Sequence, residues 1–201
     1  MNIFPLGLAE GNFFDMKVIR QADFSSSKWS GGTTTQWVIS PENASLQERN
    51  FDWRISSAQV ETEESDFTLF EGYERILIPL EGTLEMEHQT PNGSIRQKVG
   101  EFELARFSGS WPTKGKGKLT DFNLIFKSIY NPKIHISSFG EETALKIEET
   151  VSVVVVLQGA VRWNNETIKF PVILLNTAHQ ASEITCLPGS RLIFIEINPA
   201  G

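Results

Sequence analysis

Cysteine is nearly missing from this chain of 201 residues: Cys186 stands alone. A single thiol excludes an intrachain disulfide and a cysteine-built zinc cage. Histidine is scarce too. His88, His135 and His179 include no pair two positions apart. The His-x-His pair that would aim two imidazoles from one strand at a metal is therefore absent, and each reads as a lone surface or core residue. No metal and no other cofactor is expected. Long apolar runs are lacking. The longest, Val153–Leu157, falls far short of the roughly 20 residues that span a bilayer. The opening segment MNIFPLGLAEGNFFDM has neither a basic n-region nor a long h-region. No signal peptide is expected, and the cytoplasm is the expected compartment. Positive charge is in deficit, with 18 Lys plus Arg against 25 Asp plus Glu and a formal charge of -7. The only dense basic run, Lys114, Lys116 and Lys118, lies in a Gly-rich stretch read as a loop. Such a chain repels a phosphate backbone, so nucleic acid is not an expected partner, and neither is a membrane. Nucleophile and phosphate signatures are missing as well. Ser56 and Ser57 sit in no Gly-x-Ser-x-Gly elbow, and no Gly-Lys-Ser/Thr follows Gly31-Gly32. Cys186, without a nearby His, reads as a small buried hydrophobe.

What is present is β-structure. The chain is 40% hydrophobic and 21% charged, a globular composition. Short runs of Val, Ile, Thr, Phe and Trp recur between Gly, Pro and Asn clusters. Strands are predicted at 16–20, 33–40, 53–60, 75–80, 83–88, 94–99, 102–107 and 121–127. Further strands are predicted at 133–137, 151–157, 160–163, 167–170, 172–176, 183–187 and 191–197. One helical turn is predicted at Glu141–Glu148. Thr90-Pro91-Asn92-Gly93 reads as a hairpin loop, and Asn164-Asn165 as a second one. The tract Arg75–Leu84 is echoed by Ser152–Val161, with Leu80 matching Leu157 and Gly82 matching Gly159. This suggests two jelly-roll lobes, 1–130 carrying the site and 131–201 mainly structural, joined near Tyr130-Asn131-Pro132.

Four motifs of the first half occur in a fixed order: Trp29-Ser30-Gly31-Gly32-Thr33-Thr34, then Phe51–Ala58 (FDWRISSA), then Phe67–Arg75 (FTLFEGYER), then Leu119–Asn123 (LTDFN). Together, over residues 17–127, they resemble the HutD/Ves family. Ser30 stands where that family has Asn, and Thr68 where it has Ser. The resemblance implies an all-β fold, a duplicated double-stranded β-helix (a bicupin of RmlC-like jelly rolls). It also implies a link to bacterial histidine utilisation, and a small acidic metabolite such as an N-formyl amino acid as ligand.

Successive strand residues face opposite sides. One face of 53–60 then carries Arg54, Ser56, Ala58 and Val60. One face of 73–80 carries Tyr73, Arg75, Leu77 and Pro79, and one face of 121–126 carries Asp121, Asn123 and Ile125. Each is polar at one end and apolar at the other, as expected of a barrel lined for a small polar ligand near its mouth. Arg54 and Arg75 would offer forked, permanently charged donors to a carboxylate. Ser56, Tyr73, Asp121 and Asn123 would add polar contacts, while Trp29, Gly31, Gly32 and Thr33 would supply backbone N–H groups and a lid. The structural alternatives are an internal Arg54–Asp121 ion pair, an Arg75–Glu71 pair, and Trp53, Phe67, Phe70 and Phe122 as core. Three functions compete: non-catalytic binding of a small acidic metabolite, a metal-independent isomerase or hydrolase using Tyr73 with Asp121, and a structural protein with a filled barrel. A homodimer is an open arrangement in each.

Overall fold

The computed structural model of the protein describes residues 16–199. The segment behind the leader expectation lies, apart from Met16, outside the described residues. Among the described residues there is one turn of 3-10 helix, Gln21–Asp23, and no α-helix. The first strands are β1 (Lys17–Arg20), β2 (Ser25–Trp29), β3 (Gly32–Ser40), β4 (Trp53–Val60), β5 (Glu64–Asp66), β6 (Tyr73–Glu81) and β7 (Leu84–Thr90). They are followed by β8 (Gly93–Val99), β9 (Ala105–Ser108), β10 (Thr113–Lys116), β11 (Leu119–Lys127), β12 (Lys133–Phe139) and β13 (Thr143–Ile147). The chain ends with β14 (Val153–Gln158), β15 (Ala160–Trp163), β16 (Glu166–Lys169), β17 (Val172–Leu175), β18 (Ser182–Cys186) and β19 (Ser190–Glu196).

The strands form four sheets, β2-β3-β4-β11-β6-β9 with β5-β10-β7-β8, and β1-β17-β14-β19-β12 with β13-β18-β15-β16. The internal echo extends through the whole topology. Every pairing among β4 to β11 recurs eight strands later among β12 to β19: β4·β11 as β12·β19, β6·β11 as β14·β19, β10·β7 as β18·β15. The matched residues behave alike. Leu80 is skipped where Thr120 pairs with Glu81 and Asp121 with Pro79, and Leu157 is skipped where Val156 pairs with Leu192 and Gln158 with Arg191. Both leucines are therefore the extra residue of a β-bulge. Gly82 (φ +85°) and Gly159 (φ +74°) follow in the left-handed region. A Cβ on Gly82 would lie 2.7 Å from the Lys118 carbonyl oxygen. Gly82→Ala is expected to destabilise by about 1–3 kcal/mol. Gly140→Ala, in open space, is expected to stay within about 0.5 kcal/mol. Urea midpoints of the two variants check this.

Segment 141–148 is not the expected helical turn. Its glutamate-rich flanks favour helix, but Thr143, Leu145 and Ile147 alternate with Ala144 and Lys146, and pairing with β18 takes the segment into a sheet. The lysine-rich stretch at 113–116 is strand β10 rather than a loop, with Gly115 close under the Phe67 ring and Lys116 bridging to Glu64 at 2.9 Å. Both hairpins form. Asn164 (φ 48°) and Asn165 (φ 62°) are the two left-handed residues between Trp163 and Glu166. In the other hairpin only Gly93 is left-handed, because Pro91 and Asn92 make the turn. β1, first in the sequence, is the edge strand of the second lobe's large sheet, on β17.

The large sheets of the two lobes pack against each other. Ile76, Ile78, Phe122, Leu124 and Phe126 of the first meet Val153, Val155, Ile173, Ile193 and Ile195 of the second. The opposite face of β14, Val154 and Val156, fills the second barrel with Val161, Trp163, Ile168, Leu174, Ile184 and Cys186. Burial on both faces explains why Val153–Leu157 is apolar without alternation. The apolar side chains of the first barrel fall into two separate clusters, Leu77, Leu84, Met86, Phe107 and Leu119 in one and Phe51, Phe70, Tyr73 and Ile125 in the other.

Candidate functional site

The inward face of β4 brings Arg54, Ser56, Ala58 and Val60 into the first barrel, that of β11 brings Asp121, Asn123 and Ile125, and β6 contributes Arg75. All eight line one cavity of about 470 Å³. The three strands thus meet in space, but their polar ends do not coincide: Ile125, and not Asp121, pairs with both Arg54 and Arg75. The β4–β11 register runs to Thr120↔Gln59 and resumes at Asn123↔Ser56. In the gap Asp121 Oδ1 accepts the Ala58 N–H at 2.8 Å.

The two internal arginines are held differently. Arg54 donates from Nε to Gln36 Oε1 at 2.7 Å and from Nη1 to Ser56 Oγ at 2.8 Å. Arg75 donates from Nη2 to the Thr68 carbonyl and lies 5.4 Å and 5.1 Å from the ring centres of Phe67 and Phe70. Arg75 Nε is buried without a hydrogen-bond partner, as is Asn123 Oδ1. Among the described residues neither arginine has a carboxylate within 4.0 Å, so neither the Arg54–Asp121 nor the Arg75–Glu71 ion pair forms. Burial pulls both guanidinium groups down to about 10, with Asp121 opposing it. Burial pushes the Asp121 carboxyl up to about 7, against the Ala58 N–H, Arg75 and Arg54.

Other expected site residues lie elsewhere. Tyr73 is not in the cavity lining. Its hydroxyl sits 2.7 Å from the Arg49 carbonyl and 2.8 Å from that of Phe51, pinning the 41–52 loop. On the β6–β11 ladder Tyr73 pairs with Lys127, while Asp121 pairs with Pro79. Six residues at about 3.3 Å each separate the two levels, so they form no acid–base pair. Gly31, Gly32 and Thr33 are also outside the lining. Gly32 and Thr33 are paired in register with β2 on one side and β4 on the other, which commits this backbone to the sheet. Trp29 does line the cavity, and its ring lies over Gly31, where a Cβ would sit 2.1 Å from Trp29 Cζ3.

Residues 21–188 match the family model described as HutD. The chain belongs to the HutD family. A curated relative from Pseudomonas putida, described as an uncharacterized 21.2 kDa protein in the hutC 3' region, is 30% identical over 115 residues, which is 55% of this chain and 58% of that protein. The chain thus matches little more than half of that relative's length. Among solved structures, a conserved protein of unknown function from Pseudomonas aeruginosa PAO1 superposes with a TM-score of 0.74 at 18% identity, covering 91% of this chain and 98% of that one. HutD from Pseudomonas fluorescens SBW25, in a structure described as a formate condition, gives 0.68 at 20% identity, covering 91% and 99%. YhhW from Escherichia coli gives 0.71 at 10% identity, covering 92% and 98%. These likenesses establish the fold, the duplicated double-stranded β-helix.

The cavity of this HutD-family chain does not fit a metal. Its lining contains no histidine and three cationic side chains, Arg49, Arg54 and Arg75. Among the described residues no group of three or more His, Cys, Asp or Glu side chains is arranged to hold an ion. His88 is buried elsewhere on β7, against Thr113 Oγ1 at 2.9 Å. Burial raises the Cys186 thiol to about 11, which keeps it protonated and unreactive. No helix of the described residues is long and apolar enough to cross a membrane. Sequence reasoning did not reach Gln36, Arg49 or Thr68. Phe67 and Phe70, expected as core, line the cavity beneath Arg75.

Proposed function

We propose that this HutD-family protein binds a small acidic metabolite in the first barrel, without catalysis and without a metal, as a sensor or regulator in histidine or other amino-acid catabolism. The observation that carries this reading is a pair of buried guanidinium groups facing an open cavity with no carboxylate in ion-pair contact. A charge left so is costly, and an anion entering the cavity offsets that cost. Two further observations agree. The second barrel is packed with apolar side chains, so the cavity is a property of the first barrel and not of the fold. The Pseudomonas putida relative is described by its place beside hutC.

A thermal-shift screen at pH 6 of small mono- and dicarboxylates, with formate and N-formyl amino acids among them, tests the reading. At a hundredfold excess over Kd a ligand adds about 2.7 kcal/mol to stability. Arg54→Ala removes a charge-assisted donor worth about 1.5–3 kcal/mol. It is expected to weaken binding at least tenfold while the variant still folds. If no acid shifts wild type, or if the shift survives in Arg54→Ala, the reading fails.

A further inference from the structure

Asp121 lines the same cavity as Arg54 and Arg75, and its charge acts on both. Its Oδ1 is engaged by the Ala58 N–H, and its Oδ2 has no hydrogen-bond partner among the described residues. The charged groups facing the cavity are Arg54 on β4, Arg75 on β6, Arg49 on the 41–52 loop and Asp66 on β5 of the opposite sheet. Asn123, on the strand of Asp121 itself, is neutral. Three guanidinium groups against two carboxylates leave one net positive charge, and a proton on Asp121 makes it two. Two carboxylates brought side by side where one is buried, as Asp121 is, do not both stay ionised.

Resting on the ligand-binding reading above, we infer that a carboxylate enters this barrel together with a proton, which Asp121 takes from solvent at Oδ2 and shares with the ligand as a hydrogen-bond donor. The ligand stays ionised against Arg54 and Arg75, and Asp121 becomes the neutral partner. No bond other than that of the transferred proton forms or breaks. The free protein is poised for this, because burial already holds the carboxyl at about 7. A bound anion raises it further. Above neutral pH the free site is therefore unprotonated and the filled site protonated, so affinity falls by about tenfold per pH unit.

Formate is a suitable probe, since it remains ionised from pH 6 to 9. Titration calorimetry in two buffers of different ionisation heat is expected to show proton uptake near zero at pH 6 and approaching one per formate at pH 8. Asp121→Asn keeps an acceptor for Ala58 and presents an amide donor in place of the protonated oxygen. Its Kd is expected to be flat from pH 6 to 9 and tighter than wild type at pH 8.5. Carboxyl carbon NMR on wild type gives a second reading that does not depend on the variant folding: the Asp121 midpoint moves upward with formate. Formate binding without proton uptake, or with a pH slope that persists in Asp121→Asn, overturns the inference and leaves the ligand-binding reading intact. Absence of formate binding at pH 6 also overturns it. Another acid binding in the screen would then sustain only the broader reading.

Discussion

Ligand-free Asp121→Asn is expected to be more stable than wild type at pH 8, and the gain is expected to vanish as pH falls toward 4. The ordinary value of this carboxyl is 3.8, and burial raises it to about 7 in the folded chain. Between those values the folded state holds a proton that the unfolded state has released. Wild-type stability therefore declines as pH rises through this window and levels off above it. At about 1.4 kcal/mol per pKa unit the ceiling is about 4 kcal/mol. Exposed carboxylates such as Glu64 and Glu87 are shifted the other way by their lysine, serine and arginine neighbours, but the comparison of variant with wild type cancels them. Urea unfolding of both proteins at pH 4, 6 and 8 measures the effect. Parallel stability curves would show that Asp121 has an ordinary affinity for protons. A gain that appears is the stability given up to keep an ionisable group in this cavity, a common arrangement at functional sites.

Most of the fold is legible in the sequence because most strands carry their own signature. Val153–Leu157 and Val172–Leu175 are apolar on both faces and lie between two cores, while Trp53–Val60 alternates. Three of the strands that escape detection lack an apolar face. Ser25–Trp29 is exposed along its whole length, and Glu64–Asp66 and Thr113–Lys116 are charged edge or near-edge segments whose pairing comes from the neighbour. In Thr143–Ile147 the alternation of Thr143, Leu145 and Ile147 is too short to outweigh the glutamate flanks. Only its partner β18 does so, and that partner is some 40 residues away.

The site is legible in part for the same reason. Arg54, Ser56, Arg75, Asp121 and Asn123 lie on predicted strands, and two-residue periodicity fixes their face. Arg49 comes from an irregular loop, where no period exists to read. Tyr73 shares the face of Arg75, but it sits at the strand end, where the 41–52 loop folds over and takes its hydroxyl. The duplication offers one more signal. Aligning the two bulges sets Asp121 against Leu192 and Asn123 against Phe194, by the shared register of β6·β11 and β14·β19. Leu192 is fully buried in the apolar filling of the second barrel. Where the second copy completes a core, the first copy places a carboxylate and an amide. This is the sequence-level difference between a filled barrel and an open one.

The two barrels are expected to unfold as one unit, and Phe122→Ala is expected to weaken both. Phe122 has no exposed surface and lies between the large sheets, 6.2 Å from the Trp37 ring. Truncating a buried Phe costs about 3–5 kcal/mol. The loss does not stay in the first lobe. The outer faces of β4, β6 and β11 cover those of β14, β17 and β19, and β1 ties the front of the chain to β17. Neither lobe can open without exposing the apolar face of the other, a penalty that grows with every square ångström uncovered. Hydrogen exchange resolves the lobes separately, through Met86 and Val99 in the first barrel and Val161 and Ile168 in the second. All four amides are expected to lose protection by a similar factor in Phe122→Ala. If Val161 and Ile168 keep wild-type protection while Met86 and Val99 lose theirs, the lobes are energetically independent and the shared core is only a contact.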